Sequence, residues 1–164
     1  MSKSKRIAIV PGSFDPITYG HIDIVKRAAA EYDTVYLAVM INDSKKYMFD
    51  MTQREAIAGA CLDDIANVKV ISSSGMLWEL ARDLGAVAIV KGYRNSVDYE
   101  YEQKMAEYNR EHYPNADTVL LKADSSLENL SSTVVRQRIL NGDTLEGYLP
   151  QAALALIEEY LQKN

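Results

Sequence analysis

Short β-branched runs alternate strictly with helical patterns along this chain, and that alternation restricts its fold more than any other feature. The predicted strands are Arg6 to Val10, Thr34 to Met40, Val68 to Ser72, Val87 to Val90 and Thr118 to Lys122. Each is a run rich in Val, Ile and Leu, as strands buried on both faces are. Between them, Ile22, Ile24, Val25, Ala28 and Ala29 repeat at helical spacing. A second helix is predicted from a Thr52 cap to about Leu62, with Glu55 completing a capping box. A third runs from Met76 to Leu84 and is stopped by Gly85; a fourth runs from Asp98 to Tyr113 and is stopped by Pro114. Helices Ser131 to Asn141 and Gln151 to Gln162 close the chain. Strand-helix alternation implies an α/β fold, a doubly wound five-stranded parallel sheet with right-handed crossovers and helices on both faces. A chain of 164 residues fits this in a single domain, and no internal repeat or linker interrupts it.

In such a sheet the strand-to-helix loops gather at one edge, where ligands bind. Those loops are Pro11 to Thr18, Ile41 to Met51, Ser72 to Gly75, Lys91 to Val97 and Ala123 to Leu130. The first is the most informative, Val10-Pro11-Gly12-Ser13-Phe14-Asp15-Pro16-Ile17-Thr18-Tyr19-Gly20-His21. Thr18 suits an N-cap, with Gly20 and His21 in the first helical turn. Gly12 and Gly20 offer close approach to backbone, and a helix N-terminus attracts anions. His21 would then point an imidazole at a bound phosphate; the plain alternative is a tight turn followed by a helix-start histidine. No Gly-x-Gly-x-x-Gly follows the first strand and no Gly-x-x-x-x-Gly-Lys-Ser/Thr occurs, so ordinary dinucleotide-binding and P-loop readings lack their motif.

Composition narrows the partners. The formal net charge of −5 argues against a general nucleic-acid binder, so an anion site must be a local cluster of cations. Two loops carry such clusters: Lys45-Lys46-Tyr47-Met48-Phe49 after the second strand and Lys91-Gly92-Tyr93-Arg94 after the fourth. Taken alone, the lysine pair reads as a solvated surface loop; its position beside the first loop is what points to an anion. The basic start Met1 to Arg6 runs directly into strand residues and is not expected to be a secretion signal. No apolar run is long enough to span a bilayer, so no membrane partner is expected. The single Cys61 sits among small helical residues, which predicts a buried, inert thiol and a cytoplasmic chain.

Two motifs carry a resemblance. Gly12-Ser13-Phe14-Asp15 with Thr18-Tyr19-Gly20-His21, and Leu130-Ser131-Ser132-Thr133-Val134-Val135-Arg136, resemble the two signatures of the nucleotidyltransferase superfamily, a Rossmann-like fold. The lysine loop further resembles the phosphopantetheine adenylyltransferases, which make dephospho-coenzyme A. The resemblance covers essentially the whole chain from Arg6 onward. It implies adenylyl transfer from ATP to 4′-phosphopantetheine, with His21 stabilising the transition state at the α-phosphate and Lys45 and Arg94 assisting. It implies acceptor contacts from Ser13, Lys45, Leu77 and Lys91. Contacts to ATP are implied for Ser13, Phe14, His21, Gly92, Tyr93, Arg94 and Glu102, and for Leu127, Glu128, Asn129, Leu130, Ser131, Ser132 and Thr133. The family's usual Arg-Gly-x-Arg reads Lys91-Gly92-Tyr93-Arg94 here, which keeps charge but loses a bidentate fork.

The resemblance also implies Mg²⁺ accompanying ATP and a homohexamer. No carboxylate cage is evident in the sequence, so the metal is expected to ride on ATP with few protein ligands. A phosphate monoester acceptor is largely ionised at neutral pH, so no general base is needed, and catalysis reduces to positioning and electrostatics. Met76 and Leu77 either line a channel for the pantetheine arm or pack in the core. The stripe Tyr101, Met105, Tyr108 and His112 reads as core or subunit contact, with no chemistry assigned to His112. Two other readings stay open: a different acceptor, such as nicotinate mononucleotide or glycerol phosphate, and a catalytically silent nucleotide-binding regulator.

Overall fold

A computed structural model describes residues 5–42 and 44–163. Its strands are β1 (Ile7–Gly12), β2 (Thr34–Met40), β3 (Val68–Ser73), β4 (Ala88–Tyr93) and β5 (Asp117–Lys122). Its helices are α1 (Tyr19–Glu31), α2 (Met51–Leu62), α3 (Leu77–Leu84), α4 (Ser96–His112), α5 (Ser132–Asn141) and α6 (Gln151–Gln162). All strand pairs are parallel and the order is β3-β2-β1-β4-β5, the doubly wound Rossmann-like arrangement.

Strand residues alternate between two apolar layers, because successive side chains leave opposite faces of a sheet. Ala8 and Val10 of β1, with Val35, Leu37 and Val39 of β2, face a large core shared with Val25 and Ala28 of α1, Ile57 and Cys61 of α2, and Ile157 of α6. Ile9 and Ala38 face a smaller core with Ala81 of α3, Ala86 and Ala116. That second layer is built mostly from alanines, so α3 packs close to the sheet. Cys61 is a free, buried thiol whose pKa is raised to about 12 by burial and the nearby Asp63 carboxylate, which fits an inert packing role.

The sheet opens in one place. β1 registers with β2 along its whole length, from Ile7 to Gly12, but with β4 only at Ala8↔Ala88 and Ile9↔Ile89. Beyond those pairs the two strands part, and both their carboxyl ends border a crevice. The order reverses at this same pair: β2 and β3 follow β1 on one side, β4 and β5 lie on the other. The crevice is thus at the topological switch point.

Most boundaries shift by one or two residues from the sequence reading, and three of the differences have a clear physical cause. β4 continues through Lys91, Gly92 and Tyr93, because pairing with Leu120, Leu121 and Lys122 of β5 persists after β1 has departed. Lys91 is therefore a strand residue whose direction is fixed by the pleat, not a loop residue. α4 begins earlier than Asp98, since the Asn95 side chain accepts from the Asp98 N–H at 2.9 Å and caps the helix. α2 is capped by Asp50, not Thr52: the Asp50 carboxylate accepts from Gln53 N–H at 2.8 Å, and Gln53 Oε1 accepts from Asp50 N–H at 3.0 Å. The capping box is real but two residues earlier, because a carboxylate at Asp50 satisfies the free amides first. Asp50→Ala is expected to cost about 1 kcal/mol in urea unfolding, whereas Thr52→Ala, inside the helix, should change stability by less than about 0.5 kcal/mol.

Candidate active site

Where β1 and β4 separate, a cavity of about 580 Å³ opens, floored by Val10, Pro11 and Gly12 on one strand and Lys91, Gly92 and Tyr93 on the other. Its remaining walls come from Phe14, Thr18, Gly20, His21 and Ile24, from Arg94, Val97, Asp98, Tyr101 and Glu102, and from Ala123, Leu127 and Leu130 to Thr133. The residues of both sequence motifs thus meet in one place, although they lie more than a hundred positions apart. Gly92 makes this closure possible: a Cβ there would sit 3.1 Å from Ile24 Cγ1, so the bare backbone lets α1 pack across the end of β4.

The turn before α1 aims His21. Phe14 adopts φ 48°, a left-handed conformation unfavourable for a bulky residue, and the Asp15–Pro16 peptide is cis. Thr18 then caps α1 in extended conformation, as the sequence predicted, and His21 is the third helical residue. The imidazole Nδ1 accepts from the Thr18 N–H at 3.1 Å and lies 3.3 Å from its hydroxyl, and the Phe14 ring meets His21 edge to face with centroids 5.0 Å apart. Removal from water, reinforced by the Arg94 charge, lowers the His21 pKa to about 4. The ring is therefore neutral at pH 7, and with Nδ1 accepting, its proton resides on Nε2. Such a histidine is a fixed neutral donor.

Each cavity cation has a carboxylate neighbour. Lys91 Nζ lies 2.7 Å from Glu102 Oε2, and Arg94 Nε lies 3.3 Å from Asp98 Oδ2. The Lys91–Glu102 contact is ionic but not directional, and the buried Oε2 receives no hydrogen bond among the described residues. Glu102 is thus no ordinary member of a solvated helix face. At the opposite wall Ser131 caps α5 by accepting from Val134 N–H at 3.2 Å, while the Ser132 hydroxyl donates to Pro16 O at 2.7 Å. These hydroxyls combine a structural task with a place on the cavity wall, beside a helix end that favours anions.

Not every predicted site residue reaches this cavity. Ser13 contributes its carbonyl to internal bonding and its side chain does not line the cavity. Lys45 is exposed on the loop after β2, its N–H donating to Asn42 O at 2.9 Å. Leu77 packs against the alanine-rich core layer, which is the packing alternative, and Met76 is exposed. Glu128 and Asn129 also lie outside the lining set, while Leu127 and Leu130 belong to it. His112 stacks with Tyr108 and Trp78 at the junction of α3 and α4, away from the cavity.

Three residues given no role in the sequence reading organise the site. Asp15 is buried and accepts from the Met48 and Phe49 amides at 2.9 and 3.0 Å, tying the lysine loop to the first turn. Arg136 donates to Asp15 O at 2.8 Å, bringing α5 to the same turn. Arg54 is buried in α2 and donates to three main-chain carbonyls. A sequence signal for Arg54 did exist: it occupies the helical stripe of Ile57, Ala58 and Cys61, where an apolar residue is expected.

Residues 9–138 match the cytidylyltransferase-like family, a span that contains every residue of the switch-point cavity, from Val10 to Thr133. The chain is 42% identical over 153 residues to a phosphopantetheine adenylyltransferase of Heliobacterium modesticaldum, covering 93% of this chain and 91% of that protein. It is 38% identical to the enzyme of the same name from Caldanaerobacter subterraneus, covering 97% and 99%, and 37% identical to that of Streptococcus pyogenes, covering 97% and 98%. The chain belongs to the phosphopantetheine adenylyltransferase family.

The lowered His21 pKa has a sign that can be measured. Between pH 6.5 and about 4 the unfolded chain takes up a proton on His21 that the folded chain refuses. Stability is expected to fall as pH drops through that window, and to fall less steeply in His21→Asn. Imidazole NMR titration should show the His21 resonances flat from neutrality down to about pH 5 and titrating near 4.

Proposed function

We propose that this chain catalyses reversible transfer of an adenylyl group from ATP to 4′-phosphopantetheine, giving dephospho-coenzyme A and pyrophosphate. The names of its relatives support the reaction, and one structural observation supports the mechanism: a neutral His21 held by Thr18 in a cavity flanked by Lys91 and Arg94. The acceptor phosphate has a second pKa near ~6 and attacks the α-phosphorus as a ready dianion, the α–β bridging oxygen leaving with pyrophosphate. No base is required. The Nε2–H of His21 donates to an α-phosphate oxygen as negative charge accumulates there, and Arg94 adds its charge from the rim. Tyr93, Gly92, Glu102 and the segment Leu127 to Thr133 hold ATP in this reading.

Lys91 gives the acceptor phosphate a point charge, and its carboxylate neighbour Glu102 holds that ammonium at the cavity wall before substrate arrives. Lys45 reaches the acceptor from the loop after β2, Ser13 from the turn after β1 and Leu77 from the start of α3. Ser13, Lys45 and Leu77 lie outside the present cavity wall, so their roles require the acceptor to extend past it.

Mg²⁺ enters this reading as part of the Mg-ATP substrate. The carboxylates on the cavity wall, Asp98 and Glu102, each face a cation, and that donor set does not fit a resident metal. No step is assigned to the ion. A cytoplasmic setting agrees with the single buried thiol, and no helix among the described residues is long and apolar enough to cross a membrane. A homohexamer belongs to the same proposal, supported by the exposed Tyr101, Met105 and Tyr108 on one face of α4.

Pyrophosphate release from Mg-ATP is expected with 4′-phosphopantetheine and not with nicotinate mononucleotide or glycerol phosphate. His21→Ala should lower kcat by about 10²–10³-fold with little change in ATP binding. Preference for another acceptor would overturn the substrate, and ATP binding without pyrophosphate release would favour a regulator. The pH profile of kcat/KM should show an acid limb near ~6, from the acceptor phosphate. A second limb between pH 6 and 8 that disappears in His21→Asn would contradict a neutral histidine donor.

A further inference from the structure

Arg54 is a buried guanidinium, 1% exposed, that the proposed chemistry leaves unexplained. No carboxylate lies within ion-pairing distance of it among the described residues. Its donors go instead to carbonyls of three segments: Ser13 in the first turn at 2.8 Å, Met40 at the end of β2 at 3.2 Å, and Phe49 before α2 at 3.1 Å. The Tyr47 ring covers the guanidinium, 3.9 Å from its carbon. An apolar side chain of similar volume would fill this position with far less desolvation cost. What the guanidinium adds is direction, a rigid planar fork that links three main chains at once.

Those links converge on the two sides of the proposed reaction. Arg54 holds Ser13 O immediately before the strained Phe14, and Asp15, immediately after it, accepts from Met48 and Phe49. The strained residue is bracketed, and its ring supports His21. The same guanidinium fixes Tyr47 and Phe49, at the root of the segment that carries Lys45.

We propose that Arg54 is a positioning residue for adenylyl transfer, setting the separation between His21 and Lys45 by clamping the Lys45–Phe49 segment onto the Ser13–Phe14 turn. It touches no substrate. It acts through main-chain carbonyls, so its contribution is to hold acceptor and α-phosphate in line. This rests on the adenylyl-transfer reading for its kinetic consequence but not for the clamp itself.

Arg54→Lys and Tyr47→Leu test it, with kinetics expressed per folded molecule and amide exchange followed at Phe14, Met48 and Phe49. A lysine presents one nitrogen and no stacking plane, so it cannot span the three carbonyls. Arg54→Lys is expected to lower kcat by about 10²-fold while the KM for ATP stays within about twofold, with faster exchange at Met48 and Phe49. Tyr47→Leu, which leaves the buried bonds in place, should shift kcat and exchange in the same direction by less. A purely structural Arg54 would lower Tm while leaving kcat and acceptor KM per folded molecule unchanged, and that result overturns the proposal. If Arg54→Lys does not fold, unchanged kcat and exchange in Tyr47→Leu overturn it. If the wild-type protein transfers no adenylyl group, the functional reading fails, and the exchange rates alone decide for or against the clamp.

Discussion

The parting of β1 from β4 after Ile9 and Ile89 is the constraint on which the rest of this structure depends. Parallel strands that stay paired leave no room between them; a pair that separates at its carboxyl end creates a crevice whose floor is main chain. Here the separation coincides with the reversal of strand order, so the loops after β1 and β4 turn to opposite faces and leave the crevice uncovered. α1 and α5 then start at its rim, and their N-terminal turns supply the polar wall. The cavity is a consequence of topology, and the side chains that furnish it are local additions.

Those additions show two different uses of charge. Lys91 and Arg94 stand at the cavity with carboxylates beside them, which holds each cation in place without removing its capacity for an anion. Asp15 and Arg54 are buried and opposite in sign, and both bind main chain: the carboxylate accepts from two amides, with Arg136 3.8 Å away, and the guanidinium donates to three carbonyls. Main-chain dipoles hold these charges in fixed directions, and that is what a turn containing a strained Phe14 requires. His21 follows the same logic. Burial and the Arg94 charge keep it neutral, and a main-chain amide sets which nitrogen donates.

Much of the fold was legible in the chain because hydrophobic periodicity reports burial directly. Strand and helix identities all held, and Thr34–Met40 and Gln151–Gln162 held to the residue. The errors fell where one local signal competed with another. Thr52 and Glu55 form a valid capping pattern, but Asp50 and Gln53 form one too, and the stronger acceptor nearer the loop prevailed. Lys91 looked like loop because a glycine follows it; pairing with β5, a contact remote in sequence, kept it in the strand. At the site, the motif residues His21, Arg94 and Ser131 to Thr133 were recognisable and do converge on one cavity. Lys45 and Leu77 were carried by motif position and stand apart from it.

The sequence by itself determined the alternating α/β order, the apolar stripe of each strand and helix, and the Thr18 cap that starts α1, since each depends on neighbours within one or two helical turns. Only the tertiary structure decided how the two halves meet. Ser132 bonds Pro16, Arg136 reaches Asp15, and Arg54 gathers Ser13, Met40 and Phe49, across separations that no periodicity encodes. The neutrality of His21 belongs to this second group as well, because its pKa is set by burial and by Arg94, and both exist only once β1 and β4 have been brought together and apart.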